Sequence, residues 1–255
     1  MNAELQKASI GKRIIAAIFD MILLSIIAVA VASILSLVLG YDSHMDRVSS
    51  SYQRYESQYG ITLNITQEEY NELSDGKKQD YDAAVKALSE DQDIIYSYNM
   101  LMNLSLIITI FSVLLGVLVV DFFVPLFFKN GQSLGKKIFG IGVMHNEGIK
   151  VNNLQLFVRA VLGKYALELM IPLSIIIMIF FNTIGIMGLA VMLIYVVVQV
   201  ICFFTSHTYG LLHDVLAGTV TVDIASQRIF DTREQLLAYK KARHAEKVSR
   251  ELDII

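Results

Sequence analysis

Four long apolar runs alternate with polar segments along the chain, at positions 14–39, 101–128, 160–181 and 184–204. The first run, IIAAIFDMILLSIIAVAVASILSLVL, holds one charged residue. At about 1.5 Å of rise per residue, a helix of this length exceeds the ~30 Å hydrocarbon core of a bilayer. A cleaved signal peptide would have a shorter apolar core. The pattern therefore predicts an all-α polytopic membrane protein with four transmembrane helices.

The boundaries of the runs divide the chain into segments. The third and fourth runs are separated by two residues, which predicts an antiparallel hairpin of helices. The predicted segments are an N-terminus with the first helix at 1–40, a polar loop at 41–100, the second helix at 101–128, a basic loop at 129–159, the helical hairpin at 160–204, a short segment at 205–228 and a tail helix at 229–255.

The polar segments carry their own periodicities. In the first loop, Thr66 and Glu69 have capping-box spacing before an apolar-periodic stretch, which predicts one or two amphipathic helices. FGIGVMHNEGIKVNN predicts a hairpin and GTVTVDI a third strand, so we expect a small three-stranded sheet. In the tail, Asp231 and Glu234 suit the capped start of a surface helix; a helix lying on anionic lipid is the alternative.

Charge is distributed unevenly and predicts an orientation. The chain is 55% hydrophobic and 18% charged, with net charge −3. Loop 41–100 holds five basic and twelve acidic residues, whereas 129–159 holds five basic residues and only Glu147 as an acid. Because Lys and Arg accumulate in cytoplasmic loops, the second loop and both termini are predicted to be cytoplasmic. Loop 41–100 would be extracytoplasmic, in a multi-pass protein of the plasma or inner membrane.

Several chemistries find no support in the sequence. The single cysteine, Cys202, lies in an apolar run and excludes an intrachain disulfide. GQSLGKK is one residue too short for a phosphate-binding loop, with Lys137 where the hydroxyl residue should be. We expect Lys136 and Lys137 to contact lipid phosphate instead. No catalytic triad or metal-ligand spacing appears, so we expect no enzyme activity, cofactor, metal or nucleic-acid partner.

Three acids in the apolar runs are candidate ion- or proton-binding residues: Asp20, Asp121 and Glu168. An intramembrane carboxylate costs at least ~2.5 to 3.5 kcal/mol, so Asp20 needs a partner or water; its alternative role is a structural polar contact. Asp121 has a similar predicted depth and could share a proton or cation with Asp20. Glu168 precedes Pro172, which can kink the helix; alternatively it pairs with Lys164 at the interface.

Three blocks, RIIAAIFD, GQSLGKKIFGIGV and LLHDVLAGTVTV, together resemble the RDD family of prokaryotic membrane proteins. The resemblance assigns Arg13 and Asp20 to the family arginine and first aspartate. It assigns Asp214, beside His213, to the second aspartate, for which Asp121 competes. Arg13 lies about 20° from the face of Asp20 on a helix, and snorkelling to headgroups is its alternative role.

The resemblance implies transport of a small solute or cation, such as sodium/proton antiport, with Na⁺ or H⁺ as a partner. The lipid bilayer is the partner that the apolar runs predict. Because four helices make a small pathway, we expect a homodimer if the protein transports anything. His207, His213 and Asp214 could relay protons, or Asp214 could pair structurally with Arg13. The alternative function is a non-transporting scaffold or regulatory module that acts through the outer loop and tail.

Overall fold

A computed structural model describes residues 6–128, 130–180, 182–206 and 209–252. Within them, four helices are long and apolar enough to cross a membrane, which confirms the predicted fold class. They are α1 (Ile10–Leu39), α5 (Gln92–Phe127), α7 (Asn153–Phe180) and α8 (Ile186–Thr205). The end of the third predicted run, Phe181, lies outside the described residues.

Two of these helices contain wider turns. Backbone hydrogen bonding is π-helical from Leu118 to Phe123 in α5 and from Val158 to Leu169 in α7. Such turns are rare and are frequently found at functional sites. Both segments carry charged residues of the candidate site.

The chain divides into two compact units, and residues 29–112 form one of them. This unit contains the predicted helical insertion. The stretch that opens at Thr66 forms two helices, within the one or two expected: α3 (Gln67–Glu72) and α4 (Asp75–Glu90). A further helix, α2 (Tyr41–Tyr59), precedes them. The predicted capping box is present, because the Thr66 hydroxyl accepts from the Glu69 N–H and the Glu69 carboxylate accepts from the Thr66 N–H.

The other unit comprises residues 1–28 and 113–255 and contains a small sheet. Strands β1 (Ile141–His145) and β2 (Thr219–Asp223) pair antiparallel, with His145 opposite Thr219. Helix α6 (Leu134–Ile138) precedes β1, and α9 (Leu212–Leu216) precedes β2. Both faces of the sheet are covered, because Val143 and Val222, which point to opposite faces, are fully buried.

The prediction of a three-stranded sheet is wrong for the described residues. After the turn at 146–148, Ile149 and Lys150 form only isolated bridges, to Phe230 and Met144. The chain has no room for a longer strand, because Asn152 already caps α7 by accepting from the Gln155 N–H.

The tail forms helix α10 (Arg233–Leu252), as predicted. Its N-terminal hydrogen bond differs from the prediction, because the Thr232 hydroxyl, rather than Asp231, accepts from the Gln235 N–H. Leu236 is buried, and the rings of Tyr239 and Phe230 lie 5.2 Å apart between centroids. The first half of this helix is therefore packed against the protein.

Candidate ion-binding site

A close approach of two helices places Asp20. A side chain at Gly135 in α6 would overlap the carbonyl oxygen of Ala16 in α1 and come within 2.8 Å of Asp20 Oδ1. Glycine and alanine at this crossing let the backbone of α6 reach the carboxylate. The Gly135 N–H accordingly donates to Asp20 Oδ1 at 2.8 Å.

Asp20 is buried with three partners, its side chain and backbone together being 4% exposed. Its Oδ2 accepts from the hydroxyl of Ser133, the N-cap of α6. The Lys136 ammonium lies 3.8 Å from Oδ2 and donates to Ser133 Oγ at 3.1 Å. Asp20, Ser133 and Lys136 thus form one hydrogen-bonded chain that ends on a group able to release a proton.

The position of Lys136 corrects the prediction that it contacts lipid phosphate. It is only 9% exposed, and its side chain turns toward Asp20. Burial, reinforced by Lys164 and Arg159, lowers the pKa of Lys136 to about 7, although Asp121 and Asp20 oppose the shift. Lys137 is exposed, with its ammonium 3.8 Å from the Phe128 ring centroid.

Asp121 joins the same electrostatic network from the π-helical part of α5. Its carboxylate forms a short ion pair with the Lys164 ammonium, and Lys136 also acts on it. Asp20 therefore lies beside Lys136, and Asp121 beside Lys164. Both carboxylates favour the charged form of Lys136. Lys136 therefore interacts electrostatically with both Asp20 and Asp121.

Glu168 differs from the predicted interfacial pairing with Lys164, because Lys164 binds Asp121 instead. Glu168 accepts from the His213 backbone N–H at 3.1 Å and lies 2.7 Å from His213 Nδ1. A side chain at Gly163 would come within 2.5 Å of His213 Cβ, so this glycine lets α9 pack on α7. Burial lowers the pKa of His213, although Asp214 and Glu168 oppose the shift.

Asp214 has more polar partners than Asp20 and is 1% exposed. Arg159 Nε and Nη2 both lie 2.9 Å from its Oδ1, and Arg13 Nη2 lies 3.6 Å from its Oδ2. The Thr219 and Thr221 hydroxyls, 3.1 and 3.3 Å away, complete the shell. Burial alone would raise the pKa of Asp214, but the two guanidinium groups and His213 hold it well below its usual range. The expected contact with Arg13 is present.

A cavity of about 370 Å³ joins the two clusters. Its wall is mostly apolar, with contributions from Ala17, Phe203 and Leu211 among others. Its charged lining residues are Arg13, Asp20, Lys136, Arg159, Lys164 and Asp214, together with His213. The cavity is small, and both titratable and permanently charged side chains line it together with the carboxylate of Asp20.

A family model described as the RDD family matches residues 7–218. The chain belongs to the RDD family. No curated protein and no solved structure matched the chain. In this RDD protein, Arg13, Asp20 and Asp214, which the resemblance singled out, all line one cavity. His207, the other histidine of the predicted relay, lies outside the described residues.

Sequence reasoning missed Arg159 and Ser133 as site residues of this RDD protein and considered Lys164 only beside Glu168. In an α-helix, Arg159 and Lys164 would point about 140° apart. The π-helical winding of Val158–Leu169 changes that spacing, and both side chains line the cavity. Ser133 could have been found, because Gln132-Ser133-Leu134 before a short helix has N-cap character.

Proposed function

We propose that this RDD protein exchanges a small monovalent cation, such as Na⁺, for a proton across the membrane. The observation that carries the proposal is the buried Lys136 ammonium 3.8 Å from the buried Asp20 carboxylate, at the wall of a cavity. An ammonium group and Na⁺ are alternative partners for the same carboxylate. Binding one excludes the other by charge and by volume.

The exchange follows from the titration of Lys136. With its pKa lowered to about 7, Lys136 loses its proton within the physiological range. The neutral amine no longer compensates Asp20, whose oxygens, with the Ser133 hydroxyl oxygen, are the hard donors that a hard cation prefers. Protonation of Lys136 then expels the cation. The affinity for Na⁺ should rise as pH increases through about 7.

Charge balance supports exchange in a one-to-one ratio. The buried network contains four carboxylates and four cationic side chains: Asp20, Asp121, Glu168 and Asp214 against Arg13, Lys136, Arg159 and Lys164. With His213 neutral, the network has no net charge when Lys136 is protonated. Replacing that proton by one Na⁺ restores the balance, and burial disfavours any state with a net charge.

The orientation of the protein in the membrane is also part of the proposal. The basic loop and both termini face the cytoplasm according to the Lys and Arg distribution. The acidic segment 41–100 would then face outward and attract cations to the outer surface. This attraction should fade as ionic strength rises, because salt screens exposed charges over about 10 Å at 0.1 M.

The test uses full-length protein reconstituted in sealed vesicles that contain a pH-sensitive dye. Adding external Na⁺ should release internal acid from vesicles that contain the wild-type protein but not from protein-free vesicles, and Asp20→Asn should abolish the response. Lys136→Gln should also abolish it, because the proton carrier is gone. Lys137→Gln is the matched control, since it removes a neighbouring exposed ammonium, and it should retain the response.

The results distinguish transport from scaffolding. If the wild type moves neither Na⁺ nor protons, the scaffold alternative is favoured. If Asp20→Asn transports normally while correctly folded, Asp20 is a packing residue. If Lys136→Gln retains Na⁺-driven proton movement, the proton lies on another group and the mechanism is wrong.

A further inference from the structure

A second cavity lies beside the ion network in the same compact unit. Its volume is about 1030 Å³. It is bounded by the first turns of α10, the start of β2 and the turn after β1. Lys7, which precedes α1, and Thr205 and Ser206, at the end of α8, also line it. Because two membrane-spanning helices begin and end here, the cavity lies at the level of a membrane surface.

The lining of this cavity is basic. It includes four cationic side chains, Lys7, Arg228, Arg233 and Lys240, and two carboxylates, Glu147 and Asp214. Asp214 is already compensated by Arg13 and Arg159, and Glu147 lies 3.8 Å from Arg233. Within the part of the chain that the structure describes, Lys7, Arg228 and Lys240 have no carboxylate within ion-pair distance. The cavity therefore has uncompensated positive charge.

Aromatic rings hold two of these cations in place. The Arg228 guanidinium lies 5.3 Å from the Phe230 ring centroid and 5.0 Å from that of Tyr239. The Lys7 ammonium lies 4.8 Å from the Tyr209 ring centroid. Contacts with ring faces fix these groups while leaving N–H donors available. A guanidinium fixed in this way can bind two oxygens of one phosphate group.

We propose that this cavity binds a phosphate group, carried either by an anionic lipid headgroup or by a soluble phosphate compound. Arg228 is the bidentate ligand, and Lys7 and Lys240 supply the remaining charge. The position at the membrane surface suits a lipid headgroup, and the cavity has room for a glycerol phosphate moiety. The site is separate from the Asp20–Lys136 pair, so its existence does not depend on ion exchange.

The test measures binding by calorimetry to full-length protein in neutral detergent. The probes are dihexanoyl phosphatidylglycerol, a soluble anionic lipid, and glycerol 3-phosphate, which has the phosphate without acyl chains. Arg228→Gln and Lys240→Gln should each weaken binding about fivefold, the effect of one basic side chain at an anionic surface. Lys241→Gln is the matched control, because Lys241 is the exposed neighbour of Lys240 and does not line the cavity.

The two probes distinguish a lipid headgroup from a soluble phosphate compound. Binding of the lipid but not of glycerol 3-phosphate assigns the site to a headgroup, and equal binding of both assigns it to a soluble phosphate compound. The proposal is overturned if neither probe binds, or if Lys241→Gln weakens binding as much as Lys240→Gln. Should Arg228→Gln fail to fold, Lys7→Gln combined with Lys240→Gln provides the same test through two surface lysines.

Discussion

Asp214 and Asp20 are both buried carboxylates on the wall of one cavity, but their partners differ. Asp214 binds two guanidinium groups and two threonine hydroxyls. Asp20 binds one hydroxyl, one backbone N–H and, at 3.8 Å, one ammonium. A guanidinium stays protonated in proteins, whereas a buried lysine can lose its proton near neutral pH. The comparison separates a permanent ion cluster from one that can exchange its charge.

The largest expected effect comes from breaking the permanent cluster. Asp214→Asn leaves Arg159 and Arg13 buried beside a neutral amide, and removing one partner of a buried ion pair costs about 3 to 5 kcal/mol. We expect a loss of this size in the free energy of unfolding, measured in detergent by denaturant titration. The control is Asp223→Asn, because the side chain of its partner Lys12 is 47% exposed. A loss below about 1 kcal/mol for Asp214→Asn would contradict the structural role of this cluster.

A smaller effect is expected where α6 meets α1. Gly135→Ala forces a methyl group against the Ala16 carbonyl and Asp20 Oδ1. Overpacking of this kind typically costs about 1 to 3 kcal/mol, and α6 must shift away from Asp20. The measurements are the free energy of unfolding and the Na⁺-driven proton signal, both of which should fall. Gly11→Ala is the control, because nothing lies within 4 Å of its added carbon; equal losses in both variants would refute the close approach.

The close approach also shows what the sequence allowed us to predict. Run length predicted the four long helices, because spanning a membrane constrains length and apolarity directly. Ala16 and Ala17, which precede Asp20 in the sequence, are small enough to let a backbone approach there. The identity of that backbone, Gly135, depends on contacts between residues more than 100 positions apart. Periodicity within one segment contains no information about such contacts.

The burial of Lys136 could not be predicted for a related reason. In the sequence, Lys136 and Lys137 are equivalent neighbours in a basic loop. Only the direction of the one-turn helix α6 decides that Lys136 faces Asp20 while Lys137 lies against Phe128. Likewise, the π-helical winding that turns Arg159 and Lys164 toward the cavity is a tertiary feature without a sequence signature.

A pH dependence of stability should distinguish the two clusters further. The pKa of Lys136 is about 7 in the folded protein and 10.5 in an exposed lysine. Between these values the unfolded chain holds a proton that the folded protein lacks, so the free energy of unfolding should rise with pH. The slope should approach about 1.4 kcal/mol per pH unit between pH 8 and 10. Denaturant titrations at several pH values measure it.

Lys136→Gln should lower this slope, because it removes the titrating group. Lys137→Gln should leave the slope unchanged, and so should Asp214→Asn, since Asp214 titrates far below this window. A wild-type slope equal to that of Lys136→Gln would show that Lys136 has an ordinary pKa, and the exchange mechanism would lose its basis.

The smallest effect is expected for an exposed ion pair, which shows how much the comparison depends on burial. Arg54 Nη2 lies 2.8 Å from Asp91 Oδ2, shorter than the Arg13–Asp214 distance, but the Arg54 side chain is 60% exposed. Asp91 also accepts from the Tyr55 hydroxyl and from the backbone N–H of Asp93, so it stays satisfied without Arg54. Arg54→Gln should cost about 0.2 to 1 kcal/mol of unfolding free energy, less at high salt. A loss as large as that of Asp214→Asn would mean that ion-pair geometry, rather than burial, sets the stability of these clusters.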